Sequence, residues 1–150
     1  MSILFVNGSP NRDGNTAALA KALLKGKEYD QLDLIDYKIY GFGQNFDDDQ
    51  FREVIGRMKE YDTIVLGSPL YWHNLCGLVR NFLDRCYGPV EPGTFSGKKL
   101  YFLIQGMEPK EEQLMACDGT IALFARVAGF EYEGMINTVR EAEEKSSSVD

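Results

Sequence analysis

The stretch FVNGSPNRDGNTAALAKALL, residues 5–24, decides the fold of this chain. Its apolar start belongs to a run over residues 2–7 that predicts a short β-strand ending before Gly8. Over residues 16–27 the apolar side chains recur at helical spacing, and lysines stand near the end. A polar loop that contains glycine therefore joins a strand to a helix.

A loop of this composition at the start of a helix is suited to binding an anion. The first helical turn presents unpaired N–H groups at the positive end of the helix dipole. Gly8 and Gly14 permit tight turns, and Ser9, Asn15 and Thr16 add neutral donors. Phosphate binding is one interpretation, and plain N-capping by Asn15 or Thr16 is the other. The loop lacks both G-K-[ST] and G-x-G-x-x-G, which argues against ATP and dinucleotide fingerprints.

The rest of the chain alternates strands with helices. Further strands are predicted over residues 32–37, 63–67, 100–104 and 132–139, and further helices over residues 51–58, 75–86 and 111–128. Five strands separated by helices indicate an α/β fold with a doubly wound parallel sheet. We assign residues 1–140 to one domain and residues 141–150 to a polar tail that forms a frayed helix or is disordered.

A second loop of interest follows the third predicted strand. It reads GSPLYW over residues 67–72 and repeats the Gly-Ser-Pro of residues 8–10. In an open parallel sheet of order 2-1-3-4-5, ligands lie between the ends of the first and third strands. Tyr71 and Trp72 therefore either form a wall for a flat ring or cover the end of the sheet. The loop over residues 105–110 should border the same crevice.

Composition excludes several function classes. The net charge of −7, without a basic cluster, argues against nucleic acid and anionic membrane as partners. The first residues lack a signal-peptide pattern, and no apolar run approaches the roughly 20 residues of a membrane span. Three widely spaced cysteines without C-x-x-C suit reduced thiols, so we expect a cytoplasmic protein. Neither a metal site nor a catalytic acid or base is predicted, and His73 is taken as a pocket or surface residue.

The two loops resemble those of the NAD(P)H-dependent FMN reductase family of small flavodoxin-like flavoproteins. NGSPNRDGNT over residues 7–16 is similar to the family's phosphate loop, G-S-P-x-x-x-G-N-T. GSPLYW and the helix ending RNFLDR over residues 80–85 are similar to its flavin-ring loop and the helix that follows. The resemblance spans residues 1 to about 139 and implies a flavodoxin-like, five-stranded parallel sheet of order 2-1-3-4-5.

The resemblance also implies a set of residues that bind FMN. The first-loop residues around the phosphate would be Ser9, Asn11, Arg12, Gly14, Asn15 and Thr16. The residues along the flavin ring and ribityl chain would be Pro69, Leu70, Tyr71, Trp72 and Asn74. The residues at the other edge of the ring would be Gln105, Gly106 and Met107.

The activity implied is that of an FMN-dependent oxidoreductase. It would take hydride from NAD(P)H and reduce a quinone, flavin or similar small-molecule acceptor, as a homodimer or homotetramer. One alternative is a flavodoxin-type single-electron carrier, although the T-x-T-G-x-T loop of flavodoxins is missing. Another is a flavin-free sensory or interaction domain. Related iron–sulfur flavoproteins carry cysteines where this chain has YGFG at residues 40–43, so no iron–sulfur centre is expected.

Overall fold

A computed structural model describes all residues from 1 to 150 and shows one sheet between two layers of helices. The strands are β1 Ile3–Asn7, β2 Asp30–Asp33, β3 Thr63–Tyr71, β4 Asn74–Leu75, β5 Lys99–Gln105 and β6 Glu131–Ile136. The helices are α1 Asn15–Leu23, α2 Phe51–Lys59, α3 Gly77–Cys86, α4 Glu111–Ala128 and α5 Val139–Lys145. Two 3₁₀ turns complete the chain, at Leu34–Asp36 and Ser146–Ser148.

The strand order is β2-β1-β3-β5-β6, and every pair along this path is parallel. The short β4 lies off the path and pairs antiparallel with β3. Counted without β4, the order is 2-1-3-4-5, which confirms the predicted fold class. The direction of winding therefore reverses between β1 and β3, at the place where a ligand crevice is expected.

Side chains alternate across the sheet and supply two hydrophobic cores. In β1, Leu4 and Val6 enter the larger core, while Ile3 and Phe5 enter the smaller one. The larger core includes residues of α2, α3 and α4, and the smaller includes residues of α1 and α5. Burial of both sheet faces explains why the central strands are continuously apolar in the sequence.

All five predicted strands are present, but their bounds shift, most of all in β2, in β3 and in β6, which stops at Ile136 instead of 139. β2 ends at Asp33 because its pairing partner β1 ends at Asn7, and the residues that follow form the 3₁₀ turn. β3 runs four residues beyond the predicted end, to Tyr71, because both β5 and the short β4 pair with the extension. The extension brings residues 68–71 of β3 to the crevice.

The helices agree with their predictions in their central turns. α4 has the predicted bounds and stops at Gly129, which takes a left-handed φ of 94°. α1 ends earlier than predicted, at Leu23, and α3 begins at Gly77 because Leu75 belongs to β4. None of the helices combines the length and the apolar run needed to cross a bilayer.

The last ten residues, predicted as a polar tail, are packed onto the domain. Ala142 of α5 and the following Val149 are buried in the smaller core. Thr138 caps α5, since its Oγ1 accepts a hydrogen bond from the Glu141 N–H at 3.1 Å. The sequence carries this signal as T-x-x-E over residues 138–141, a capping pattern that predicts a helix start.

Candidate flavin site

The first and second loops touch beyond the carboxyl ends of β1 and β3. The Gly8 N–H donates to the Gly67 carbonyl at 2.8 Å, and Cys76 Sγ donates to the Gly8 carbonyl at 3.1 Å. A Cβ placed on Gly67 would lie only 2.6 Å from Thr16 Cγ2. The structure therefore brings the two Gly-Ser-Pro loops together at the point where the winding reverses.

The first loop presents several backbone donors that the protein does not use. The N–H groups of Arg12, Asp13 and Gly14 have no protein acceptor. Gly14 is the N-cap of α1, and no side chain caps the helix, so the first-turn N–H groups are also free. These donors share the positive end of the α1 dipole, an arrangement that favours an anion.

Thr16 provides a separate indication of a ligand. Its side chain is completely buried, yet its Oγ1 has no hydrogen-bond partner in the protein. No other buried side-chain nitrogen or oxygen of the chain lacks a partner. An unsatisfied buried hydroxyl costs roughly 1–3 kcal/mol. Ser9 is also buried, and its Oγ accepts from the Asn11 N–H at 3.1 Å, which leaves its hydrogen for a ligand. The phosphate of FMN fits this set of neutral donors.

The other polar side chains of the loop differ in their partners. The Arg12 guanidinium pairs with the carboxylates of Asp36 and Asp33, the latter at 3.4 Å. Hydrogen bonding to Arg12 holds the pKa of Asp36 below its usual value. The exposed Asn11 and Asn15 side chains make no hydrogen bond with the protein. The charge of the loop's one cation is thus neutralised by carboxylates.

The β3–β4 hairpin turns on two residues in left-handed conformations. Trp72 and His73 have φ values of 50° and 63°, as a type I′ turn requires, although Asn-Gly is the usual sequence there. Flanking pairs Leu70↔Leu75 and Tyr71↔Asn74 hold the turn. Trp72 is 97% exposed, so it does not cover the sheet end. Backbone strain of this kind is concentrated at functional sites.

The third loop borders the hairpin as predicted from the sheet order. Gln105 pairs with Pro69, and a Cβ on Gly106 would lie 2.8 Å from Leu70 Cβ. Met107 is 94% exposed beside this contact. Tyr71, Trp72 and Met107 therefore give the crevice an apolar, solvent-facing rim.

Four residues that shape the site were not predicted: Asn7, Gln31, Asp33 and Ser68. Asn7 was detectable as a polar residue that ends an apolar strand. Ser68 stands in the repeated Gly-Ser-Pro, but it is structural: its Oγ accepts from the Cys76 N–H at 3.1 Å. Gln31 and Asp33 carry no local signal, because their contacts depend on the pairing of β2 with β1.

Fold and site together define a flavodoxin-like α/β protein with a loop of unpaired donors beside an aromatic hairpin. The chain matches the NADPH-dependent FMN reductase family over residues 1–124. It belongs to that family, which confirms the resemblance found in the sequence.

Individual relatives agree with this assignment. The chain is 34% identical over 98 residues to an iron–sulfur flavoprotein from Archaeoglobus fulgidus, which covers 57% of this chain and 48% of that protein. It is 26% identical over 129 residues to a Bacillus subtilis protein described as an NAD(P)H-dependent FMN-containing oxidoreductase, covering 79% and 67% respectively. The chain thus spans about half the length of the archaeal relative.

Solved structures support the fold. The Trp repressor binding protein from Bacillus subtilis superposes with a TM-score of 0.76 at 17% identity, over 95% of this chain and 99% of the other. An NAD(P)H:quinone oxidoreductase from Methanothermobacter marburgensis superposes with a TM-score of 0.71 at 14% identity, over 100% and 99%. Both cover at least 95% of this chain.

Proposed function

We propose that this protein is an FMN-dependent oxidoreductase that takes hydride from NAD(P)H and reduces a quinone, a flavin or a similar small-molecule acceptor. The observation that carries the proposal is the buried, unpartnered Thr16 Oγ1 beside the free N–H groups at the start of α1. Membership of the FMN reductase family gives this donor set its expected ligand, the FMN phosphate.

The residues that would hold FMN fall into three groups. Around the phosphate we place Ser9, Asn11, Gly14, Asn15 and Thr16, with Arg12 at the margin because of its carboxylate partners. Along the ring and ribityl chain we place Pro69, Leu70, Tyr71, Trp72 and Asn74. At the other edge we place Gln105, Gly106 and Met107.

When bound, FMN supplies the chemistry of hydride acceptance and electron transfer. The protein's own residues bind FMN and orient it. The neutral donors of the first loop would hold the phosphate end of FMN. The hairpin would set the position of the flavin ring. Tyr71 and Trp72 offer aromatic surface for stacking a planar substrate, and Met107 offers an adaptable apolar neighbour. No side chain of the site is assigned as a catalytic acid or base.

An absorption spectrum and a cofactor titration test this function. We expect the purified protein to be yellow, or the apoprotein to bind added FMN, and the loaded protein to oxidise NADH or NADPH with a quinone or free flavin as acceptor. Colourless protein that does not bind FMN would contradict the proposal. Loaded protein that oxidises NAD(P)H only sluggishly with every small acceptor would instead indicate a single-electron carrier.

We also propose that the protein self-associates as a homodimer, the unit from which a homotetramer could be built. α4 is apolar on two faces, and the outward one carries Met115, Leu123 and Val127 at 64%, 52% and 49% exposure. Leu123 and Val127 line a groove of about 720 Å³ between α3 and α4. Arg80 and Asp84 flank the groove and pair with each other at 3.4 Å within the chain, and in a two-fold dimer each could exchange this partner for its counterpart in the other copy.

A charge placed in this groove tests the association. Leu123→Glu should convert the dimer to a monomer at micromolar concentration, measured by sedimentation velocity, because the buried carboxylate would lack a partner. Val139→Glu, at a similarly exposed valine on α5, is the matched control and should leave the dimer intact. A monomeric wild-type protein, or a dimer unaffected by Leu123→Glu, would exclude this interface.

The proposed location is the cytoplasm, without nucleic-acid or membrane partners. Cys76, Cys86 and Cys117 are all buried and free, as suits a reducing compartment. Burial raises the pKa of the Cys86 thiol to about 12, which keeps it protonated and unreactive at neutral pH.

A further inference from the structure

Beneath the first loop lies a cluster of three polar side chains, Asn7, Gln31 and Asp33, which we call the loop platform. Asn7 ends β1 and is completely buried, whereas the other two belong to β2. Asn7 Oδ1 accepts from the Ser9 N–H at 3.1 Å, and its Nδ2 donates to Asp33 Oδ1 at 2.9 Å. Gln31 Nε2 donates to the same Asp33 oxygen at 2.8 Å.

The Asp33 carboxylate determines how both amides are oriented. An ionised carboxylate only accepts hydrogen bonds, so Asn7 and Gln31 must each present an NH₂ group to it. The carbonyl oxygen of Asn7 is then left to face the Ser9 N–H. The second Asp33 oxygen accepts from Arg12 at 3.4 Å, which ties the one loop cation to the same platform.

The two amides also hold two carbonyl groups of the loop. Asn7 Nδ2 donates to the Asn11 carbonyl at 3.1 Å, and Gln31 Nε2 donates to the Arg12 carbonyl at 2.8 Å. In a planar trans peptide the C=O and the next N–H point in opposite directions. The N–H groups of Arg12 and Asp13 are therefore turned away from the platform, and both lack a protein acceptor.

We propose that Asn7, Gln31 and Asp33 are positioning residues that aim the loop N–H groups at a phosphate and so set a preference for phosphorylated over unphosphorylated flavin. The proposal rests on the FMN-binding function proposed above. It states in particular that the loop platform affects binding of the phosphate and not binding of the flavin ring. The ring and ribityl contacts of the hairpin should be independent of it, since none of the three side chains bonds to residues 68–76.

Paired titrations of apoprotein with FMN and riboflavin, followed by flavin fluorescence, test the proposal. Gln31 is exposed, so Gln31→Met should fold normally while losing its bond to the loop. We expect it to lower FMN affinity about fivefold and to leave riboflavin affinity within about twofold. Asn7→Ala should lower FMN affinity further. If that variant fails to fold, the titrations of Gln31→Met alone test the proposal. Gln44→Met, which removes a bond to Gly41 in another loop, is the matched control.

The outcomes separate the platform from the function. A variant that weakens FMN and riboflavin equally, or weakens neither, would overturn the proposal, as would wild-type protein that binds both flavins equally. Wild-type protein that binds neither flavin would defeat the proposed function instead. The platform would then be judged by NMR with inorganic phosphate, which should shift the Arg12 and Asp13 amide signals in wild type and much less in Gln31→Met. Equal shifts in both proteins would overturn it.

Discussion

Replacing Gly8 by alanine should destabilise the protein by about 3 kcal/mol, since overpacking a rigid site typically costs roughly 1–3 kcal/mol and sometimes more. The added Cβ would lie 2.2 Å from Val79 Cγ2 and 2.6 Å from the Gly67 carbonyl oxygen. Val79 is completely buried in α3, and the Gly67 carbonyl accepts the hydrogen bond that joins the two loops. Neither neighbour can yield without moving the site, so FMN affinity should fall as well.

Thermal unfolding measures this effect, and a loss of about 3 kcal/mol should lower the midpoint by on the order of 10 °C for a domain of this size. Gly56→Ala is the matched control, because Gly56 lies within α2 and a Cβ there would meet nothing within 4 Å. That substitution should stabilise the helix by up to about 1 kcal/mol. Equal midpoints for the two alanine variants would show that the first loop is not held against α3 as described.

Replacing Thr16 by valine should have opposite effects on the free and the FMN-bound protein. In the apoprotein the exchange removes a buried hydroxyl that has no partner, so the free energy of unfolding should rise by about 1 kcal/mol. In the complex it removes a donor to a charged phosphate, worth roughly 1.5–3 kcal/mol, so FMN affinity should fall about 10- to 100-fold. Urea unfolding and fluorescence titration measure the two quantities.

Thr16→Ser is the control for this pair of effects. It keeps the hydroxyl and loses the methyl group that packs beside Gly67, so it should retain FMN affinity while losing some stability. A valine variant that is less stable than wild type and binds FMN normally would place the phosphate elsewhere.

The fold could be predicted from the sequence because the relevant signals are local or repeated. The continuous apolar run of β3 and the helical spacing that ends at Gly129 each specify one element, and their alternation specifies the sheet. β2 was predicted to start two residues too late and to end four residues too late, since its end depends on where β1 stops pairing. The tail was predicted as a frayed helix or disorder because its buried surface is small, although Thr138 and Glu141 carry the capping signal of α5.

The candidate site likewise has parts with a local sequence signal and parts that depend on strand pairing. Thr16 and Trp72 lie in loops that each begin with Gly-Ser-Pro, so the meeting of the two loops follows from the sheet order. The positions of Asn7 and Asp33 against each other could not be predicted, since a hydrogen bond between residues 26 apart in sequence requires a known strand register. The partnership of Arg12 with Asp36 was hidden for the same reason, and it changes the expected electrostatics of the phosphate loop.

The turn at Trp72 and His73 bears on any attempt to make this protein tolerate heat. A designer guided by turn preferences alone would install Asn-Gly at these two positions, where both backbones already have the angles those residues favour. That exchange would relieve the backbone and, in the same step, delete the exposed indole of Trp72. A gain in thermal stability at this turn would thus be made at the expense of the aromatic surface proposed for stacking, so thermostabilising mutations are better sought at Gly56 in α2, outside the hairpin.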